Sequence, residues 1–369
     1  MQTRITSILF IIIILAACQD DDDGGGSHMG VQPEPTPVEL EVPAHFFYIG
    51  APFVPSDNPT TKEGIALGKK LFFEKKLSRD NSISCSSCHN PSFSFNDKGN
   101  ALSQGVDGTF GIRNAMPLYN LAWVPLTSGR FNWHGSAMSL EEQAFEPVRN
   151  HLEMKQSWPD AVAKLQADPT YPPLFNAAFK TSTIDSTLVV KALAQFERTL
   201  ISGDTRVDKH VQKEVAGLDV PGGPFLTDQE LRGYDIFLAE EKGDCFHCHG
   251  TFSNPLWTNN LFMDNGLDAS PDSGLAAVTK SASDLGKFRV PSIRNLGFTA
   301  PYMHDGRFNT LMEVIDHYDS GIQNSPNLDP NLDPNAKPRT LTLQEKEDLI
   351  AFLMALNDST FVNNPAFQP

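Results

Sequence analysis

Four of the five cysteines fall into two copies of one pattern, Cys85-Ser-Ser-Cys88-His89 and Cys245-Phe-His-Cys248-His249. Two thiols with two residues between them and an imidazole directly after the second match the spacing of covalent c-type haem attachment. The thiols reach the two vinyl groups of one haem, and the adjacent histidine then lies beneath the iron as proximal ligand. A thioredoxin-type redox pair would need a βαβ context, and little of this chain alternates with period two. A zinc site built from both pairs would leave the histidine after each pair without a purpose. The motifs therefore predict two covalently bound c-type haems, held by Cys85, Cys88 and His89 and by Cys245, Cys248 and His249.

The elements around these motifs read as helical. Acids stand three residues after a hydroxyl at Thr60/Glu63, Ser139/Glu142, Thr227/Glu230 and Thr342/Glu345, the pattern of a capping box. Ile184, Leu188, Ala192, Phe196 and Leu200 recur every four residues, which places one apolar face on a core. Leu349, Ile350, Leu353 and Leu356 do the same near the C-terminus. An internal repeat accompanies the motifs. Gly68-Lys-Lys-Leu71-Phe72 precedes Cys85 much as Gly233-Tyr-Asp-Ile236-Phe237 precedes Cys245, and Gly135-x3-Ser139-Leu140-x-Glu142 matches Gly306-x3-Thr310-Leu311-x-Glu313. The expected fold is mostly α, with two tandem cytochrome-c-like domains over 57–220 and 221–369. The segment from Asn324 to Pro338 reads as a turn-rich loop, its aspartates as caps and turn formers.

The chain has 369 residues and a formal net charge of −16. That length suits about two domains. The acidic balance disfavours nucleic acid and anionic lipid as partners and suits a small basic redox protein. At the N-terminus, Arg4 precedes an apolar run from Ile8 to Ala17 that is too short to span a bilayer. It ends Leu15-Ala16-Ala17-Cys18, which resembles a bacterial lipobox and implies a signal peptide over 1–17 and lipid on Cys18. An ordinary signal peptide with an incidental cysteine is the competing reading. Gln19 after the cysteine leans toward the outer membrane, in a periplasm-facing lipoprotein touching the membrane only through its anchor. Residues 18–56, acidic and glycine-rich and then proline-rich, read as a flexible tether. Gly26-Ser27-His28-Met29 resembles a tag-cleavage scar, so His28 is assigned no role.

Over about residues 57–358 the chain resembles the bacterial dihaem cytochrome c peroxidases, a family that includes MauG-type relatives. The marks are Gly68 to Phe73, Leu77-Ser78, both haem motifs, Arg113-Asn114, Trp133 through Glu153, and Thr299-Ala-Pro-Tyr-Met-His304-Asp-Gly306. The resemblance implies that the N-terminal haem is the peroxide site and that the C-terminal haem handles electrons. It makes Glu153 the distal acid/base, Gln143 its companion, and Trp133 the electron relay between the haems. It also implies a calcium site between the domains from Asn114 and the carbonyls of Thr299 and Pro301, oxygen donors that suit a hard ion. Expected partners are hydrogen peroxide and a small c-type cytochrome or other periplasmic donor, and homodimers are frequent in the family. Each residue also has a plain structural role open to it: Glu153 as a solvated charge, Trp133 as a core aromatic, Asn114 as a turn residue.

Two positions depart from the better-known peroxidases. Many members carry a histidine in the loop after the first motif that caps the first iron; here Val106 stands at that place. Fourteen residues after His304, where those peroxidases place a methionine ligand to the second iron, stands Tyr318, as in MauG-type relatives. Tyr318 packed on its helix is the alternative, with Met303, Met312 or His317 as substitute ligands and His304 in a structural role. Three functions follow: a peroxidase reducing hydrogen peroxide to water, a MauG-type oxidase that modifies a partner protein, and a dihaem electron carrier without catalysis.

Overall fold

The computed structural model describes residues 33–336 and 339–369. Helices dominate. The first half contains α1 (Lys62–Phe72), α2 (Cys85–Cys88), α3 (Leu140–Arg149), α4 (Trp158–Ala167), α5 (Tyr171–Phe179), α6 (Ser186–Arg198) and α7 (Arg206–His210). The second half contains α8 (Asp228–Leu238), α9 (Phe246–His249), α10 (Ala276–Thr279), α11 (Leu311–Asp316), α12 (Leu343–Ala355) and α13 (Ser359–Val362). The one sheet among the described residues is the antiparallel pair β1 (Phe262–Met263) and β2 (Phe288–Arg289), with Phe262 opposite Arg289. No helix among the described residues is long and apolar enough to cross a membrane.

The expected caps hold at α8 and α12, where Thr227/Glu230 and Thr342/Glu345 form reciprocal boxes. At α3 the Ser139 hydroxyl accepts the Glu142 N–H, while the Glu142 carboxylate takes the N–H of Met138 instead of Ser139. At α1 the expectation fails by one residue. Thr61 is the N-cap and accepts the Gly64 N–H. Thr60 donates to the Val38 carbonyl, and Glu63 accepts from the N–H and hydroxyl of Thr36. The upstream segment competes for both side chains and wins them.

The repeated glycines explain the two principal helix packings. A Cβ on Gly68 of α1 would lie 1.9 Å from the Ala192 carbonyl oxygen of α6, and one on Gly233 of α8 would lie 2.0 Å from that of Asp348 on α12. Only glycine allows either helix pair to approach so closely. Around α1 and α6 lies one apolar core, and around α8 and α12 a second. Their membership departs from a boundary near 220. Val207 and Val211 pack in the second core, whereas Phe361, Val362 and Phe367 return to the first, filling the space beside Phe95.

The expected tether also needs correction. Glu34–Pro369 forms one compact unit, and residues 34–56 are part of it. Phe46 is fully buried edge-on to Trp123. His45 bonds Asp208 at 2.8 Å, and Asp208 holds Arg294 through both guanidinium terminal nitrogens. Two aromatic and imidazole side chains anchor what composition alone reads as unstructured. The signal segment, Cys18 and His28 lie outside the described residues.

Candidate active site

Both haem motifs are short helical turns whose histidines are held from behind. His89 Nδ1 donates to the Phe95 carbonyl at 2.9 Å, and His249 Nδ1 donates to the Trp257 carbonyl at 3.3 Å. A carbonyl only accepts, so each proton sits on Nδ1 and each Nε2 is left as a lone-pair donor for iron. Phe95 (φ 60°) and Trp257 (φ 53°) are both in left-handed backbone, unusual for aromatic residues, and both rings are buried in a core. The core thus holds the strained turn that aims each carbonyl. Burial also lowers both imidazole pKa values, to about 4 for His249, which keeps the rings neutral as metal ligation requires.

Cys85, Cys88, Cys245 and Cys248 are free thiols, each partly exposed. Burial raises them, to about 11 for Cys88 and Cys248. Among the described residues no three His, Cys, Asp or Glu side chains converge on a metal-sized point. The thiols are therefore not arranged as a zinc cluster, and they suit covalent attachment.

A further feature fits a haem carboxylate. Arg289 is 6 % exposed, yet its guanidinium pairs with no carboxylate among the described residues. Nη1 donates to Asn260 Oδ1 and Nη2 approaches the Met116 sulfur, while Nε has no partner. Burial pulls its pKa down to about 10. Beside it lies a small cavity of about 30 Å³ with Tyr119, Thr258 and Ser292 in its wall. A buried cation without a carboxylate partner among the described residues is the environment a propionate would complete.

α3 carries Gln143 and the turn after it carries Glu153. Glu153 raises the pKa of both Cys85 and Cys88, so its charge reaches the first motif. Burial raises its own pKa, partly offset by Asn150, whose Nδ2 donates to Glu153 Oε1 at 2.6 Å. The Gln143 amide makes no hydrogen bond to the described residues and is partly exposed. The loop bearing Val106 lies against this turn. Val106 N–H donates to the Glu153 carbonyl at 3.0 Å, and Asp107 bridges Arg79 and Lys155. A Cβ on Gly105 would lie 2.2 Å from the Leu152 oxygen.

Trp133 is 9 % exposed and its indole N–H donates to the Asn114 carbonyl at 2.8 Å. Asn114 turns its amide nitrogen to the carbonyls of Asn100 and Ala101, and its Oδ1 accepts nothing from the described residues. Its backbone N–H donates to His304 O at 2.8 Å, which brings it to the segment with the buried Thr299 and Pro301. In the second half, Asn265 Nδ2 donates to the Tyr318 hydroxyl at 3.3 Å and lies 3.6 Å from the Met303 sulfur. Tyr318 belongs to the π-helical turn His317–Gly321, and its pKa, pushed up to about 12 chiefly by burial, also feels Cys248 and Cys245. His317 is occupied, its Nε2 bonding Asn265 O at 3.1 Å, and His304 stacks on Phe288 at 3.8 Å. Sequence reasoning did not find Arg289, Phe95 or Trp257 as parts of the site, because their roles arise from contacts distant in the chain or from backbone conformation.

Residues 62–216 match the family model for di-haem cytochrome c peroxidase. The methylamine utilization protein MauG of Methylorubrum extorquens is 37% identical over 309 residues, covering 82% of this chain and 80% of that one. The cytochrome-c peroxidase IdrP1 of Pseudomonas sp. (strain SCT) is 34% identical, covering 83% and 84%. A solved MauG-like protein associated with microbial copper homeostasis superposes with a TM-score of 0.77 at 33% identity, covering 90% of this chain and 99% of that one. With relatives this similar over most of its length, the chain belongs to the di-haem cytochrome c peroxidase family.

Proposed function

We propose that the protein reduces hydrogen peroxide to water with electrons from a small c-type cytochrome or similar redox protein. The observation that carries this reading is Glu153, a desolvated carboxyl within electrostatic reach of both thiols of the first haem motif. A c-type haem held at each motif by its two cysteines and its histidine would supply redox-active iron, for peroxide in the first half and for electrons in the second. Glu153 takes a proton from the near peroxide oxygen and delivers it to the departing one, general acid–base catalysis within one pocket. Gln143, whose amide bonds none of the described residues, orients the peroxide. His89, fixed by Phe95, keeps its Nε2 basic and aimed. Trp133 lies on the electron route. Two electrons and two protons balance each peroxide cleaved to two waters.

Val106 supports a first pocket that is open in the oxidised protein. Asn114, with its free Oδ1, supports a calcium ion shared with the carbonyls of Thr299 and Pro301. The lipobox-like segment supports export and a lipid anchor on Cys18.

A second reading, a MauG-type oxidase acting on a partner protein, is favoured by Tyr318. Its buried phenol lies within electrostatic reach of Cys245 and Cys248, as a ligand to the second iron would. The test is single-turnover mixing of oxidised, haem-loaded protein with peroxide, for the parent and Glu153→Gln. Fast cleavage that collapses in the variant supports the peroxide site; equal rates overturn it. Electron transfer from a reduced small cytochrome then separates the readings: rapid turnover supports the peroxidase, slow turnover the oxidase.

A further inference from the structure

Glu146 lies on α3 between Gln143 and the turn bearing Glu153, yet its carboxylate serves a different segment. Glu146 Oε2 accepts from Asn132 Nδ2 at 2.7 Å and from the Ser136 hydroxyl at 2.9 Å. Asn132 Nδ2 also donates to Ser136 Oγ at 2.8 Å. The three side chains close a triangle around the ends of a loop whose interior is Trp133, His134 and Gly135. That loop needs outside support. Asn132 (φ 64°) and Gly135 (φ 73°) are both left-handed, and the base is closed by Phe131 N–H donating to Ala137 O at 2.8 Å.

The internal repeat supplies a comparison within the same molecule. Matching Ser139 to Thr310 aligns Asn132 with Met303, Trp133 with His304 and Glu146 with His317. The second loop closes in the same way, Tyr302 N–H donating to Phe308 O at 2.7 Å, and Met303 and Gly306 are again left-handed. Its counterpart of Glu146 does not clasp it: His317 turns to Asn265 O, and Arg307 ties Asp305 to Asp268 at the rim instead. The carboxylate clasp therefore belongs to the loop that carries tryptophan. It is not a general requirement of the fold.

We propose that Glu146 is a positioning residue for electron delivery: it ties the Trp133 loop to α3, which carries Gln143 and leads into the turn bearing Glu153. This rests on Trp133 being the relay between the two haems. Electron tunnelling falls exponentially with separation, so a loop held by one carboxylate sets a rate as well as a shape. Glu146 also lies near Glu153, whose carboxyl burial and the charge of Glu146 together push toward the protonated form, so the clasp on α3 adjoins the turn that carries the proposed acid.

The test compares Glu146→Ala, Glu146→Gln and Trp133→Phe in the haem-loaded protein with the C-terminal haem reduced. Rapid mixing with peroxide gives the second-order rate of peroxide reaction and the later oxidation of the C-terminal haem. Glu146→Ala is expected to slow the second phase by about tenfold, within the roughly 10²-fold that a misplacement of about 1 Å can cost, with the first phase unchanged. Glu146→Gln, which keeps an acceptor oxygen, should stay near the parent rate. Amide exchange at Phe131 and Gly135, whose N–H groups close the loop, should quicken in Glu146→Ala alone. If Trp133→Phe is slow while Glu146→Ala matches the parent, the relay stands and the proposal is overturned. If Trp133→Phe also matches the parent, the relay reading fails and the proposal falls with it. Should Glu146→Ala not take up haem, Glu146→Leu, matched in size, carries the same comparison.

Discussion

The backbone N–H of Arg289 donates to the carbonyl of Trp133 at 2.9 Å. Asn114 N–H makes the reciprocal bond to the carbonyl of His304 at 2.8 Å. Trp133 and His304 are partners in the internal repeat, so the two halves exchange equivalent bonds across their contact. The indole of Trp133 then bonds Asn114 as well. The proposed relay is thus held by both halves at once, where an electron passing between them would cross.

Arg289 contributes more than its backbone. A buried guanidinium lacking a carboxylate partner fits a haem propionate, and a cation there favours the reduced iron. Arg289→Gln should lower the midpoint potential of at least one haem in a potentiometric titration, with Arg289→Lys between variant and parent. Breaking such a buried pair should also cost the haem-loaded protein about 3 kcal/mol. Unchanged potentials for both haems would contradict the assignment.

Glu153→Gln should lower the rate of peroxide cleavage by about 10²–10⁴-fold, the usual range for a positioned acid or base. Stopped-flow mixing measures this directly. Haem content and the His89-dependent spectrum of the resting protein should not change, since among the described residues Glu153 bonds only Asn150 through its side chain.

Glu197 gives a pH dependence of stability. It is buried on α6, its Oε2 has no partner among the described residues, and burial pushes its pKa up to about 8, against the opposing pull of Arg198. Between the ordinary carboxylate range and about 8, the folded chain keeps a proton that the unfolded chain has released. This stabilisation is full in acid and is lost as pH rises through about 8. Glu197→Gln, neutral throughout, should gain in Tm relative to the parent as pH is raised from about 6 to about 9. A pH-independent difference in Tm would exclude the effect.

As the proposed ligand, Tyr318 would set the character of the second haem. Its phenol is pushed to about 12 in the polypeptide, so only an iron beside it would make it a phenolate at neutral pH. A phenolate favours ferric iron and methionine the reduced state. Tyr318→Met should therefore raise the midpoint potential of the C-terminal haem and remove phenolate charge-transfer absorption. A potential indistinguishable from the parent would return the ligand to Met303, which lies across the same Asn265 side chain.

The sequence displays these features unequally. Cys85, Cys88 and His89 are legible because covalent attachment fixes their spacing, whatever the surrounding fold. Gly68 and Gly233 are legible as a repeat, although only the packed helices reveal why each is glycine. Phe95 and Trp257 are not: they stand six and eight residues after their histidines, and their function lies in a left-handed backbone that no local signal marks. Thr60 was a plausible cap until a segment from outside the helix took its hydroxyl. Residues 34–56 look unable to pack, yet Phe46 and His45 find partners about eighty and one hundred and sixty residues away. Long-range contacts of this kind leave no periodic trace.

The most direct measurement is steady-state peroxide consumption by the haem-loaded protein, begun from its fully oxidised form with a reduced small c-type cytochrome as donor. With Val106 held against Glu153 and no histidine in that loop, turnover should begin at once, without a lag and without prior reduction. A protein inert until reduced, with a six-coordinate spectrum for both irons at rest, would contradict the account.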